Sequence, residues 1–204
     1  MPEHKQPLIQ GQYFHIYNRG NNGIDLFYDA DSYYYFLKLY EKYIEPIAET
    51  YAWCLMKNHF HILVYLKIDT EIDKSKLEYS TVEKAKIITA SKQFSHFFNA
   101  YTQSINKRFK RTGSLFEKPF ERKIITSNNY LQKVIFYIHN NPVHHGFTDH
   151  IWNYPWSSYE SIISEKSTKI KRKEVIDLFQ NKDGFLEFHT IEQDLNDVAN
   201  LLID

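Results

Sequence analysis

The 204-residue chain has one cysteine, Cys54. A single thiol cannot close an intramolecular disulfide and cannot build a cysteine-rich zinc site. Long apolar runs are missing too. Ile62 to Leu66 is bracketed by His61 and Lys67, far short of the roughly 20 residues that a membrane-spanning helix needs. Met1 to Gln10 lacks the apolar stretch of a secretory signal. The expectation is a soluble, cytoplasmic protein with no membrane partner. Internal repeats and low-complexity blocks are absent, and so is net charge, with 25 Lys plus Arg against 25 Asp plus Glu. What is present is 43% hydrophobic and 25% charged residues, the composition of a packed globular core. The length suits one domain with an extension.

The neutral total hides a polarity. Between Lys84 and Lys133 there are eleven bases against two acids, Glu117 and Glu121. From Glu174 to Asp204 there are eight acids against Lys182 alone. A basic stretch interleaved with Phe and Tyr suits a phosphate backbone with unstacked bases. It equally suits a solvated helix face with no partner.

The hydrophobic pattern predicts a strand from Gln12 to Asn18, then a turn over Arg19 to Gly23. Asp29 or Asp31 can cap a helix whose apolar face holds Tyr33, Phe36, Leu37, Tyr40, Tyr43 and Ile44. The three consecutive tyrosines at 33–35 are read as packing. Residues 50–66 read as a hairpin turning at Lys57-Asn58, and 67–80 as a polar loop or lid. A long helix is expected from Thr81 to Phe109, a strand within 115–126 interrupted at Pro119, and a helix capped by Asn128 or Asn129 and ended near Asn140 by Pro142. The tail from Ile151 is aromatic first and helical later. This order predicts an α+β fold, an antiparallel sheet with helices on one face.

His59 and His61 open the second hairpin strand. Residues two apart on a strand share a face, so the two imidazoles project together while Phe60 points away. Two imidazoles on one strand supply part of a divalent-metal site and leave positions for a third ligand and for substrate oxygens. Two hydrogen-bonded histidines at a sheet end would read the same way. Downstream, Lys133, Tyr137 and Asn141 are four apart in turn, on one helical face. That aligns a phosphate-binding cation, a potential nucleophile and an oxygen ligand. A phenol with a pKa near 10 becomes a nucleophile when a metal polarises its target or a cation favours the phenolate. A tyrosine packed on a sheet is the plainer reading.

Taken together and in order, these elements resemble the tyrosine-nucleophile HUH transposases of the IS200-like group, and most nearly the branch called REP-associated tyrosine transposases. The matching pieces are Tyr13-Phe14-His15-Ile16-Tyr17-Asn18-Arg19-Gly20 and Met56-Lys57-Asn58-His59-Phe60-His61-Ile62-Leu63-Val64. Gly113-Ser114-Leu115-Phe116 with Phe120, Tyr137-Ile138-His139-Asn140-Asn141-Pro142-Val143 with Gly146, and Trp156-Ser157-Ser158-Tyr159 complete the series. They span about residues 11–160. The resemblance implies a catalytic domain over 1–160, and the acidic, mostly helical C-terminal extension expected over 161–204 from charge and pattern lies outside the matched pieces. It implies a ferredoxin-like sheet carrying the histidine pair beside the tyrosine helix, and single-stranded DNA cleavage and rejoining through a 5′-phosphotyrosine. His59 and His61 match the metal-binding histidines, and Tyr137 matches the nucleophile. Asn141 falls where the third ligand is expected, a place where relatives often carry the longer Gln.

On this reading the cofactor is Mg²⁺ or Mn²⁺ and the partner is single-stranded DNA with a hairpin. Arg19, Lys107, Arg108, Lys110, Arg111, Arg122, Lys123 and Lys133 would hold backbone phosphates. Phe109, Phe116 and Phe120 could stack bases, although each singly suits the core better. The protein would act as a monomer or homodimer. Two other classes remain open: a non-catalytic DNA-binding protein that kept the fold, and a metal phosphodiesterase that uses water.

Overall fold

Aromatic and β-branched residues dominate Tyr13–Arg19, which forms strand β1. A computed structural model describes residues 6–77, 89–117 and 119–191. After a 3₁₀ turn, helix α1 runs over Ala30–Tyr43. Asp29 caps it: its side chain accepts from the Ser32 N–H at 2.9 Å, and the Ser32 hydroxyl reaches back to the cap. Strands β2 (Ala48–Met56) and β3 (His59–Leu66) form the expected hairpin around Lys57-Asn58. Helix α2 occupies Ala90–Arg108, β4 occupies Glu121–Ile125 and α3 occupies Asn128–His144. The expected helical segment 81–88, Lys118 and the acidic stretch 192–204 lie outside the described residues.

The sheet order is β2-β3-β1-β4, every neighbouring pair antiparallel. With two crossover helices this is the expected ferredoxin-like α+β arrangement. The expectation of helices on one face holds for α1 and α2. Helix α3 and the C-terminal helices cover the opposite face. The reason is visible in the strands, since both faces of β3 are buried. Phe60, Ile62 and Val64 pack with α1 and α2, whereas Leu63 joins Leu131, Val134, Ile135 and Ile138 of α3. A strand buried on both faces needs cover on both.

A bulge at Tyr51 in β2 resets the alternation. Thr50 faces α1, where its hydroxyl meets the Tyr40 hydroxyl at 2.8 Å. Ala52, Cys54 and Met56 turn to the α3 side. The outer edge of β2 is closed by the segment after α3: Leu55 N–H donates to Trp156 O, and Ser158 N–H donates to Trp53 O, both at 2.9 Å.

Two local differences from the sequence expectation concern α3. Ser127, not an asparagine, caps it, accepting from the Tyr130 N–H at 3.2 Å. The helix also continues past Pro142 to His144. Proline here removes one N–H in the last turn, where closure passes to neighbours: His145 N–H donates to Asn141 O and Phe147 N–H to Pro142 O.

Beyond α3 the described residues form three short α-helices, α4 (Tyr159–Ile163), α5 (Arg172–Leu178) and α6 (Lys182–Thr190). Phe179 and Phe185 share a core with α3. A chain of assigned protons ties α6 to it. Phe185 O accepts from His189 Nδ1 at 2.8 Å, so His189 Nε2 accepts from His139 Nδ1 at 3.0 Å. His139 Nε2 then accepts from the Ser158 hydroxyl at 2.8 Å, whose oxygen takes the Trp53 N–H at 2.9 Å. All three side chains are buried, and each is satisfied in its neutral form.

Candidate active site

The β2–β3 hairpin places the histidines. Its turn is tied down from outside: Leu26 and Phe27 N–H groups donate to Lys57 O at 2.8 and 3.0 Å, and Gly20 N–H donates to Asn58 O at 2.7 Å. Gly20 is required there, because a Cβ would sit 1.9 Å from Ile24 O. His59 therefore starts β3 at a fixed height, and His61 follows on the same face. Across the sheet, Arg19 pairs in register with His59 and Tyr17 with His61.

Helix α3 lays Tyr137 and Asn141 over this face. The Asn141 Oδ1 lies 3.0 Å from His59 Nε2, so the short amide reaches the histidine. The Tyr137 ring meets His61 edge-on with centroids 5.2 Å apart, and His15 at 6.0 Å. Tyr137 is 3% exposed and Asn141 is fully buried.

Protonation follows from burial. Desolvation pushes the His59 pKa down to about 4, against the raising effect of the Asn141 contact, with His145 and Arg19 also lowering it. Burial sends His61 well below its usual range, helped by His15, His59 and His145. Burial first and Lys123 second lower His15 to about 3. All three are neutral at pH 7 and keep one lone pair each.

That neutrality bears on metal binding. His59 Nδ1 donates to Asn58 Oδ1 at 2.8 Å, which leaves the Nε2 lone pair pointing at the Asn141 amide. Amide oxygens on both sides would demand an imidazolium, which burial opposes. With the amide oxygen toward it, two lone pairs face each other, an arrangement that a cation relieves. With the amide turned over, Nδ2 donates to Nε2. His61 Nε2 and Asn141 Nδ2 are buried with no hydrogen-bond partner among the described residues. Among the described residues no group of three His, Cys, Asp or Glu side chains is arranged to hold a metal ion. A divalent cation here would thus take two imidazoles and an amide oxygen, a donor set whose imidazoles favour Mn²⁺ over Mg²⁺. The residues fit such an ion.

The basic residues divide between places. Lys123 pairs with His15 across β1–β4, on the histidine face, and Arg122 points to the other face, over the Phe120 ring at 4.7 Å. Lys133 lies on α3 one turn before Tyr137. Lys107 and Arg108 end α2. Arg108 is engaged by Asp29 at 2.8 Å and Asp31 at 3.0 Å, and Arg111 donates to Asn106 Oδ1 at 2.9 Å. Lys110 follows in the left-handed region at φ 52°. Arg19 approaches Glu117 at 3.6 Å. Phe116 and Phe120 are core residues, and Phe109 stacks on Tyr28.

Sequence reasoning gave no role to His15, Asn58 or His145. His15 had a readable signal, since Tyr13, His15 and Tyr17 share a strand face. His145, whose ring centroid lies 5.0 Å from that of His59, had none beyond its place after Pro142.

The fold and site geometry define a class: a ferredoxin-like sheet with a histidine pair on an inner strand and a tyrosine–asparagine helix laid across the same face. Among solved structures the chain is similar to a REP-associated tyrosine transposase bound to a REP hairpin, with TM-score 0.61 and 16% identity, over 81% of this chain and 87% of that one. The chain shares the fold of that tyrosine transposase. A bacterial tRNA(His) guanylyltransferase-like protein in complex with ATP aligns with TM-score 0.41 and 11% identity, over 74% and 67% of the two chains. No family model and no curated protein matches the chain. No described helix is long and apolar enough to cross a membrane.

Proposed function

We propose that the protein is a divalent-metal-dependent DNA strand transferase that cleaves and rejoins single-stranded DNA beside a hairpin. The observation that carries this reading is the convergence of His59, His61, Asn141 and Tyr137 on one buried sheet face, with a His61 Nε2 that no described residue satisfies. The fold shared with a transposase solved on a hairpin supports the substrate class.

In this mechanism the Tyr137 phenol gives up its proton as its oxygen attacks phosphorus, the bond from phosphorus to the 3′-oxygen breaks, and that oxygen takes up a proton to leave as a 3′-hydroxyl. The product is a 5′-phosphotyrosine that conserves the ester, so rejoining is the same step reversed with a new 3′-hydroxyl. His59, His61 and Asn141 would hold Mg²⁺ or Mn²⁺, which supplies positive charge for the phosphate oxygens in the transition state. Helix α3 sets the phenol and the amide ligand one turn apart, so aligning one aligns the other. Lys123 and Lys133 bring positive charge to the backbone near this face, and Arg19 enters beside His59.

The burial of Tyr137 favours a second reading, in which this side chain is structural and water is the nucleophile. Denaturing electrophoresis of labelled hairpin DNA after incubation with Mn²⁺ separates the two. A slow protein–DNA band, absent in Tyr137→Phe, is expected. Cleavage without any covalent species would replace the transferase by a phosphodiesterase.

A further inference from the structure

The geometry points to His15 as a positioning residue for the candidate metal centre: by engaging His61 Nδ1 it leaves Nε2 as the only His61 atom able to hold a cation. This rests on the metal-binding reading above.

His15 Nε2 and His61 Nδ1 are 3.0 Å apart, and both side chains are fully buried. Two neutral imidazoles in contact share one proton across that gap. Their rings lie 19° from parallel with centroids 5.1 Å apart. Tyr17 stacks beside both, at 4.8 Å from His15 and 5.8 Å from His61, and so restrains the ring planes. His61 cannot turn its other nitrogen to the site without breaking this contact.

The proton positions in the loaded state then follow. Ligation through Nε2 requires that nitrogen to be bare. The His61 proton sits on Nδ1 and is donated to His15 Nε2, and His15 carries its own proton on Nδ1. That nitrogen is buried with no hydrogen-bond partner among the described residues. An apolar residue at position 15 would avoid this unsatisfied group, so fold stability alone gives no reason for a histidine there. A need for a hydrogen-bond acceptor behind a metal ligand does. Metal-bound imidazoles commonly lean on a carboxylate or a carbonyl. A neutral imidazole orients the ring without adding negative charge to a face that must receive phosphate.

The test measures Mn²⁺ affinity by calorimetry on the full chain, together with imidazole ¹⁵N resonances in the Mg²⁺-loaded protein. His15→Phe keeps a flat ring in the strand and removes the acceptor. Mn²⁺ binding is expected to weaken about 10- to 100-fold, with metal-free hairpin affinity unchanged. His15→Gln returns an acceptor oxygen and is expected to recover most of the affinity. Should His15→Phe not fold, His15→Leu makes the same comparison with a smaller side chain. In loaded wild type the proton of His61 is expected on Nδ1. Wild-type affinity in the acceptor-less variants, or a proton on Nε2 of His61, overturns the role of His15 alone. A wild-type protein that binds no Mn²⁺ overturns the metal centre itself and this inference with it.

Discussion

The two faces of one sheet are built to different ends. The face toward α1 and α2 is an aromatic core: Phe60 lies 5.3 Å from Phe36 and 5.6 Å from Phe98, centroid to centroid, and Phe14 and Ile16 are fully buried beside it. The face toward α3 is equally buried yet holds His15, His59, His61 and Asn141, with unsatisfied nitrogens on three of them. Apolar packing at close density is what stabilises a fold. Buried polar atoms without partners oppose it. One strand, β3, serves both faces by alternation, so stability and chemistry are separated by a single residue step.

The sharpest break of that comparison is on the chemical side. Tyr137→Phe, His59→Ala and His61→Ala should each reduce adduct formation on a labelled hairpin below detection, and removal of metal by a chelator should do the same to wild type. The motivation is the shared face of these side chains. Thermal melting of the three variants should stay near wild type. A variant that melts far lower would mean the face is structural. Adduct formation that persists in either histidine variant at limiting Mn²⁺ would remove that residue from the ligand set.

One residue along, the effect should move from activity to stability. Phe60 sits between the two histidines in sequence and among Phe36, Phe98 and Phe116 in space. Phe60→Ala should cost about 3–5 kcal/mol of folding free energy, from lost transfer energy and the cavity left behind. Urea titration checks this, and a loss under about 1 kcal/mol would show that the α1/α2 face is not the stabilising one.

How much of this could be read beforehand depended on how local the cause was. The His59–His61 face, the hairpin at Lys57-Asn58 and the Asp29 cap rest on periods of two and on short-range capping, and these were legible. Tyr137 and Asn141 were legible as an i, i+4 pair. The cover over the second face was not: Leu63 and Cys54 look like any strand residues until α3 is seen to lie on them. His15 was hidden for the same reason. Its strand face was readable, but its partner is 46 positions away and was set by the β1–β3 register. The cap on α3 went to Ser127 because Asn128 already belongs to the helix, a one-residue boundary that pattern reading does not resolve.

The chain from α6 to α3 predicts an effect of pH. Burial pushes the His189 pKa down to about 4 and that of His139 well below its usual range. Above about pH 6.5, both histidines are neutral folded and unfolded, and they add no pH dependence. As pH falls through that value, the unfolded chain takes up protons that the folded chain refuses, so stability drops. Each such group contributes a slope of about 1.4 kcal/mol per pH unit, and that of His189 levels off near pH 4. His189→Gln should therefore flatten the dependence between pH 6 and 4.5 by about one group's worth. An unchanged slope would mean that His189 is protonated in the folded state.

The smallest expected effect lies on the stabilising face and tests whether the two faces are independent. Asp29 caps α1 and also takes the Arg108 guanidinium at 2.8 Å. Asp29→Ala removes the cap, worth about 1 kcal/mol. The ion pair adds little, because both partners are about two-fifths exposed and such pairs contribute about 0–1 kcal/mol. Arg108 keeps Asp31 at 3.0 Å, which limits the loss further. Asp29→Asn keeps a capping oxygen and drops the charge, so it should recover most of the difference. The adduct yield on hairpin DNA should be the same in wild type and both variants, since α1 lies across the sheet from Tyr137. If Asp29→Ala lowered adduct yield several-fold while shifting the urea midpoint as little as expected, the α1 end would be acting on the chemical face through the Leu26 and Phe27 contacts to the hairpin turn. The separation of the two faces would then fail at that turn.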